Sequence, residues 1–306
     1  MQQQIWIETN LGPVRVWKIT PSLCNKRIVI FMGVGEFCEK YQQLISFFSS
    51  EGAEIVIFDW PGMGQSGNFA KSAFTSHVSS FDKMLLASCE VIEKIGWANK
   101  RFFVLGHSMG GHFALRLEGL KKFKISGIIA LSPMLLPKVG LSFFVYLMAK
   151  CVSLLGFSKY TIPKGGRNTL LETRKFYADN LLSRNRKAVE NIISVINNDP
   201  SLARSGVSFG WLSAAFSSCF KTTIQPTFHR AIQVPVIIMI GSDEKLVSQK
   251  EIIKSLGHIK FVQLISFNQA KHELYNELPY VTHQLCICIN ELSILHHEIR
   301  LLAVNE

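Results

Sequence analysis

Two kinds of hydrophobic pattern alternate along this chain of 306 residues. Short, nearly uninterrupted apolar runs are typical of strands buried on both faces of a sheet, and the segments between them carry apolar residues at helical spacing. The strands are predicted at 27–32, 54–59, 101–106, 125–131, 234–240 and 261–267. The helices are predicted at 41–50, 77–95, 109–120, 248–256 and over most of 278–302. Strands that alternate with helices predict an α/β fold with a largely parallel sheet covered on both faces.

The first two β-type runs have no helix between them. Ile5–Thr9 and Val14–Ile19 are separated by a short turn that contains Asn10 and Gly12. Such a short connection favours a hairpin. We therefore predict an antiparallel edge on the parallel sheet.

A long interval separates the fourth and fifth buried strands. Residues 135–233 show helical and polar patterns and no comparable buried strand. We predict an α/β core from 1–134 and 234–306, with 135–233 inserted as a helical cap over the carboxyl edge of the sheet, where ligands of such sheets bind. The apolar stretch Val139–Phe157 imitates a membrane span. A single crossing would separate two strands of one sheet, so we predict a cap helix instead.

The net charge of +11 is concentrated in the predicted cap. Between Leu135 and Gln233 there are 13 Lys and Arg and four Asp and Glu, a net charge of +9. Basic charge beside an apolar helix predicts peripheral contact with an anionic membrane surface. The alternative is a solvated basic surface that serves solubility. Nucleic-acid binding is not predicted, because no binding motif accompanies the charge.

The N-terminus and the cysteines bear on the compartment. The first residues lack a basic segment followed by an apolar one, so we expect no secretory signal. The seven cysteines are scattered and odd in number, which favours reduced thiols. Cys286 and Cys288 have C-x-C spacing, but no further ligand cluster completes a zinc site. We expect a cytoplasmic protein, peripheral on the inner face of the cell membrane, without a metal.

The strongest chemical signal is the sequence from Gly106 to Gly110, which fits the pattern G-x-S-x-G. Alone the pattern is weak, and an ordinary glycine-rich turn is the alternative. Here a predicted strand precedes it and a predicted helix follows it, as a nucleophile elbow requires. Ser108 is therefore the predicted nucleophile.

A serine hydroxyl needs a base and an acid to activate it, and the base comes last along the chain. His272 lies in the loop after the last predicted strand. Asp243 follows the preceding strand and is the predicted acid that orients the imidazole, with the adjacent Glu244 as the alternative. The backbone N–H groups of Met109 and Val34 are the predicted oxyanion hole.

With these residues placed, the chain resembles the α/β-hydrolase family of monoacylglycerol lipases and lysophospholipases, often labelled serine aminopeptidase-like. The likeness covers the core on both sides of the cap. Five segments are similar to motifs of the family. They are the oxyanion loop at 32–36 with Lys40-Tyr41, a turn at 59–66, the nucleophile elbow at 106–111, the acid loop at 241–247 and the base loop at 271–274. Two departures are Met32, where the family usually has His, and Pro61, where it usually has Arg.

The resemblance implies hydrolysis of the ester of a single-acyl-chain lipid, a lysophospholipid or a monoacylglycerol, through an acyl-enzyme and without a cofactor. Thioesterases, small-ester esterases and proline iminopeptidases remain alternatives within the fold, and a non-catalytic binding protein is an alternative of another class. We expect Phe144, Val145 and Met148 on the cap helix to line the acyl pocket, the alternative being simple packing of the cap on the core.

Overall fold

The computed structural model describes residues 1–163 and 175–287. The predicted strands form one sheet of eight strands, and a separate pair of two-residue strands lies outside it. In chain order the ten strands of the described residues are β1 (Gln2–Thr9), β2 (Gly12–Ile19), β3 (Lys26–Phe31), β4 (Ala53–Phe58), β5 (Thr75–Ser76), β6 (Arg101–His107), β7 (Lys124–Leu131), β8 (Gly206–Val207), β9 (Val236–Gly241) and β10 (Val262–Phe267).

The order of strands across the sheet is β1-β2-β4-β3-β6-β7-β9-β10. β1 pairs antiparallel with β2, and β2 pairs antiparallel with β4, so the predicted antiparallel edge is confirmed. The pairs from β4 to β10 are parallel. Parallel strands end at one common edge, and the loops after β3, β6, β9 and β10 therefore meet there.

The described chain also forms α-helices, of which those that connect strands of the large sheet pack against it. The α-helices are α1 (Gln42–Ser50), α2 (Phe81–Lys94), α3 (Met109–Gly119), α4 (Ser142–Val152), α5 (Arg186–Asn198), α6 (Phe209–Lys221), α7 (Pro226–Arg230) and α8 (Gln249–Leu256). The hydroxyl of Ser80 caps α2 and that of Ser248 caps α8, each by accepting a backbone N–H of the first turn. Residues 279–287 are helical, and the rest of the helix predicted to reach 302 lies outside the described residues.

Between β7 and β9 the described chain is mainly helical, with α4 to α7 and the short strand β8, which pairs with β5. The helix predicted over 139–157 is shorter than expected. α4 ends at Val152 and a π-helical turn, Ser153–Phe157, follows it, in which Gly156 has a positive φ of 94°. The division into a core and a cap at 135 and 233 stays a prediction. None of the described helices has the length and apolar character that crossing a membrane requires.

Candidate active site

The predicted nucleophile lies at a strained turn between β6 and α3. Ser108 has φ 52° and ψ −115°, a conformation that a side chain adopts only when the surroundings impose it. Close packing imposes it here, because a Cβ on Gly110 would overlap the carbonyl oxygen of Phe31 in β3. The turn therefore requires glycine at this position, and the strand, turn and helix predicted for a nucleophile elbow are all present.

The imidazole of His272 is held by a carboxylate, but that carboxylate belongs to Glu244. His272 Nδ1 lies 2.7 Å from Glu244 Oε2, and since a carboxylate only accepts, Nδ1 carries the proton of this bond. The sequence-based choice of Asp243 is corrected by this geometry. Asp243 turns toward solvent, where it forms ion pairs with Arg184 at 2.9 Å and Lys245 at 3.0 Å.

The physical reason is the turn after β9. Consecutive side chains in it point apart, so only one of the two acids faces the site. The side chain of Asp243 is 26% exposed and that of Glu244 is fully buried. Backbone N–H groups of Leu246 and Val247 also donate to Glu244 Oε1, at 2.6 and 3.2 Å.

The electrostatics of Glu244 match an orienting acid. Burial by itself would raise the pKa of this carboxyl. The charge and hydrogen bond of His272, with the two backbone donors, outweigh burial and lower the pKa to about 2. Glu244 is therefore ionised throughout the neutral range.

The two N–H groups predicted for the oxyanion hole belong to Val34, in the loop after β3, and Met109, at the start of α3. Neither N–H donates to another of the residues that the structure describes. The first N–H groups of a helix lack partners within the helix. Both groups are thus available to a ligand atom, and Val34 lines the same pocket as Ser108 and His272.

Behind this loop lies a buried polar cluster centred on Glu36. The carboxylate of Glu36 accepts hydrogen bonds from Gly33 N at 2.5 Å, Tyr41 Oη at 2.5 Å and Tyr275 Oη at 2.5 Å. Lys40 Nζ bridges Glu36, at 3.2 Å, and Glu273, at 2.7 Å. The cluster therefore joins the oxyanion loop to the loop that carries His272.

His107, the residue before the nucleophile, completes this cluster. Its Nδ1 lies 3.2 Å from Glu36 Oε2 and its Nε2 lies 3.2 Å from the carbonyl oxygen of His272. Burial opposes a charge on His107, but Glu36 outweighs it and raises the pKa. Burial likewise opposes a charge on Glu36, and Lys40 and His107 lower its pKa well below the usual range. Opposite charges thus stabilise one another where burial alone would disfavour them.

Ser108 and His272 open into a pocket of about 550 Å³, which is within the usual range for small-molecule sites. Residues between β7 and β9 supply part of its wall. The apolar side chains that line it include Met134, Pro137, Ile162, Leu182, Trp211 and Leu246. An apolar pocket beside a strained serine and an oriented histidine can accommodate an acyl chain at a reactive carbonyl.

The residues expected to line an acyl pocket on α4 lie elsewhere. Phe144, Val145 and Met148 do not line the described pocket. Phe144 and Met148 are exposed, and Val145 packs against the core cluster. Helical spacing marks which residues share a face, but it does not say whether that face meets the site, the core or solvent.

Comparison with known proteins identifies the family. Residues 24–279 match the family described as "Serine aminopeptidase, S33". The chain belongs to this family of α/β hydrolases. The resemblance inferred from the elbow and the flanking loops is thereby confirmed, and so is the predicted fold class.

Individual relatives share about a quarter of the aligned residues with this chain. Phospholipase YtpA of Bacillus subtilis (strain 168) is 27% identical over 258 residues, which cover 82% of this chain and 88% of that protein. The monoglyceride lipase of Homo sapiens is 26% identical over 290 residues, covering 90% of this chain and 84% of that protein. A solved structure of a soluble variant of monoglyceride lipase from Saccharomyces cerevisiae, with a substrate analog, superimposes with a TM-score of 0.74 at 18% identity and covers 97% of each chain.

Two pocket residues escaped the sequence-based search. Ser76 and Arg204 line the pocket with Ser108, although neither belongs to a motif and 128 positions separate them in the chain. The pairing of β5 with β8 brings their segments together. Two-residue strands leave no periodic signal, so only the tertiary structure places these side chains.

Proposed function

We propose that this chain is a serine hydrolase that cleaves the carboxylic ester of a single-acyl-chain lipid through an acyl-enzyme. Ser108 is the nucleophile, His272 the general base and Glu244 the acid that orients it. The observation that carries this proposal is the hydrogen bond from His272 to a fully buried Glu244, in a pocket shared with Ser108 at its strained turn.

The proposed reaction has two steps. His272 removes the proton of Ser108 as its oxygen attacks the ester carbonyl, and the N–H groups of Val34 and Met109 stabilise the oxyanion. The imidazolium then protonates the leaving alkoxide, and the alcohol departs. In the second step a water molecule, deprotonated by His272, attacks the acyl-enzyme and releases the fatty acid.

Lipid esters fit the pocket better than aminoacyl substrates, the alternative that the family description raises. A peptidase acting at a free N-terminus needs an acidic side chain for the substrate amine. Among the described residues the pocket wall has two carboxylates, Glu36 and Glu273, and Lys40 is bonded to both. The wall is otherwise largely apolar, which supports the choice made from the phospholipase and monoglyceride lipase relatives.

A substrate panel tests the proposal. Purified enzyme is assayed with lysophospholipids, monoacylglycerols, short p-nitrophenyl esters and aminoacyl amides, in parallel with labelling by a fluorophosphonate probe. We expect labelling that depends on Ser108 and hydrolysis of the single-chain lipids above that of the amides. Preferred cleavage of the amides would contradict the lipid assignment, and absence of labelling and of turnover would favour a non-catalytic binding protein.

We further propose that α4 and the π-helical turn dock the enzyme on an anionic membrane surface. The exposed apolar side chains there, which we call the α4 patch, are Leu141, Phe143, Phe144, Leu154 and Leu155. The exposed Lys138 and Lys159 flank it in sequence, and the exposed Lys150 lies within it. Exposed apolar area next to basic charge binds the interface of anionic bilayers, because the first enters the acyl boundary and the second is attracted to the lipid charge.

Co-sedimentation with vesicles tests this docking. We expect wild-type protein to bind vesicles containing anionic phosphatidylglycerol more than neutral phosphatidylcholine vesicles, and less as salt rises. Leu154→Ser combined with Leu155→Ser removes side chains that are 78% and 74% exposed and should reduce binding. Leu23→Ser, at an 83% exposed position between β2 and β3, is the matched control and should not. Equal binding by both variants would overturn the assignment of the surface.

A further inference from the structure

Three residues of the pocket wall, Ser76, Arg204 and Trp211, each carry a buried polar atom that has no partner among the described residues. Ser76 is fully buried and Arg204 is 6% exposed, and both line the pocket of Ser108. Among the described residues, neither Ser76 Oγ nor Arg204 Nε has a hydrogen-bond partner. Proteins pair the great majority of such atoms, so a group of unpartnered atoms on one pocket wall points to a ligand that completes them.

These two side chains meet beside the oxyanion loop. Gly35 follows Val34 in that loop and has a φ of 72°. A Cβ built on Gly35 would lie 3.2 Å from Arg204 Cβ and 3.6 Å from Ser76 Oγ. The wall formed by Ser76 and Arg204 is therefore adjacent to the place where the substrate carbonyl is proposed to bind, within reach of groups attached to the ester.

The charge of Arg204 selects the kind of ligand. Its guanidinium donates to the carbonyl oxygens of Ser201, Ala203, Gly64 and Gly67, at 2.7 to 3.4 Å. Burial lowers the pKa of Arg204, and the charge of Asp59 opposes this without a direct ion pair among the described residues. Lys40 in the same wall, by contrast, is paired with Glu36 and Glu273. A buried guanidinium without a directly paired carboxylate favours an anion in the space beside it.

We propose that Arg204 and Ser76 form a subsite for a phosphate-bearing head group, so that the substrate is a lysophospholipid rather than a neutral monoacylglycerol. This rests on the proposed function, since the same ester is cleaved by the same step. The phosphate oxygens accept from Arg204 Nε and Ser76 Oγ. Both atoms are covered by neighbouring protein atoms, so a head group reaches them after a small shift of the pocket wall. The positive charge of Arg204 attracts the phosphate before this contact forms.

Kinetics with matched substrates test the subsite. The ratio of kcat/KM for lysophosphatidylglycerol to that for the monoacylglycerol of the same acyl chain is measured below their critical micelle concentrations. For the wild type we expect a ratio of about 10 or more, because the free energy of a hydrogen bond to a charged group corresponds to at least about this factor. Ser76→Ala and Arg204→Lys should each lower the ratio severalfold, and a ratio is insensitive to a general loss of activity. Ser88→Ala, at a buried serine of α2 outside the pocket, is the matched control.

Folding of the variants is checked by thermal unfolding, and Ser76→Ala carries the test if Arg204→Lys does not fold. A wild-type ratio near one, or a ratio that Ser76→Ala leaves unchanged, would overturn the subsite. If neither lipid is hydrolysed, the proposed function itself is contradicted. The failure of the subsite and the failure of the proposed function are therefore distinguishable.

A second experiment distinguishes a lipid head group from a soluble phosphate ester as the ligand of the subsite. Glycerol 3-phosphate and glycerol are compared as inhibitors of p-nitrophenyl butyrate hydrolysis. We expect inhibition by glycerol 3-phosphate at lower concentration than by glycerol, and less difference in Ser76→Ala. Inhibition of this kind without a preference for the lysophospholipid would assign the subsite to a soluble phosphate ester and overturn the head-group proposal.

Discussion

The cluster around Glu36 and the α4 patch reverse the usual distribution of side chains in opposite ways. At the carboxyl edge of the sheet, Glu36, Lys40 and Glu273 are charged and buried. On the α4 patch, Leu141 and Leu154 are apolar and exposed. Burying a charge costs free energy unless the charge is paired. Exposed apolar area does not prevent folding, but large patches of it are typical of surfaces that contact a partner or a membrane. The first region is therefore stabilised by pairs within the chain, whereas the second has the exposed apolar area that the proposed membrane contact would cover.

The largest effect is expected at the nucleophile, in the first region. Ser108→Ala should lower kcat by about 10⁶-fold, as removal of the nucleophile does in subtilisin. The free energy of unfolding should change little, because the glycines that form the turn remain. Turnover of p-nitrophenyl butyrate and thermal unfolding of the same preparation measure the two quantities. Activity near the wild-type level would exclude Ser108 as the nucleophile.

The next effect distinguishes the two neighbouring acids. Glu244→Gln should lower kcat by about 10⁴-fold, as the equivalent change does in a serine protease, because the amide no longer stabilises the imidazolium. Asp243→Asn should lower it by less than about 3-fold, since loss of an exposed ion pair has small effects. Steady-state kinetics of both variants provide the comparison. The reverse order of losses would restore Asp243 as the acid.

The stability of the buried cluster depends on Lys40. Lys40→Met keeps the length of the side chain but leaves Glu36 and Glu273 without their shared cation. Removing one partner of a buried ion pair costs about 3–5 kcal/mol of unfolding free energy. Urea-induced unfolding of the wild type and the variant measures this loss of unfolding free energy. Lys254→Met, which breaks the exposed pair with Glu251, is the control and should cost less than about 1 kcal/mol. Equal costs would mean that the cluster is not a stabilising unit.

Glu244 also predicts a dependence of stability on acid. Its folded pKa of about 2 lies below the ordinary value of 4.5, so its contribution is present above pH 4.5. As pH falls from 4.5 toward 2 the unfolded state binds a proton that the folded state does not, and stability is lost at up to about 1.4 kcal/mol per pH unit. The difference in unfolding free energy between wild type and Glu244→Gln should shrink across this interval. A constant difference would show that Glu244 is not held ionised.

The smallest effect on folding is expected in the second region. Leu154→Ser with Leu155→Ser should change the unfolding free energy by less than about 0.5 kcal/mol per site, because neither side chain is buried. Leu105→Ala, within β6 and fully buried, should cost about 2–5 kcal/mol. Chemical denaturation of the three proteins gives the comparison. A large loss from the double variant would mean that the α4 patch packs against the chain itself.

The amino-acid sequence by itself determined the sheet, its antiparallel edge, the family and the position of Ser108 and His272. These depend on local patterns: apolar runs that only a buried strand satisfies, and glycines that only a tight turn needs. Tertiary structure alone decided that Glu244, not Asp243, faces His272, because the direction of two adjacent side chains depends on the backbone of one turn. It also decided that the apolar face of α4 meets solvent and that Ser76 and Arg204 share a wall, since contacts between distant segments leave no mark on the spacing of residues.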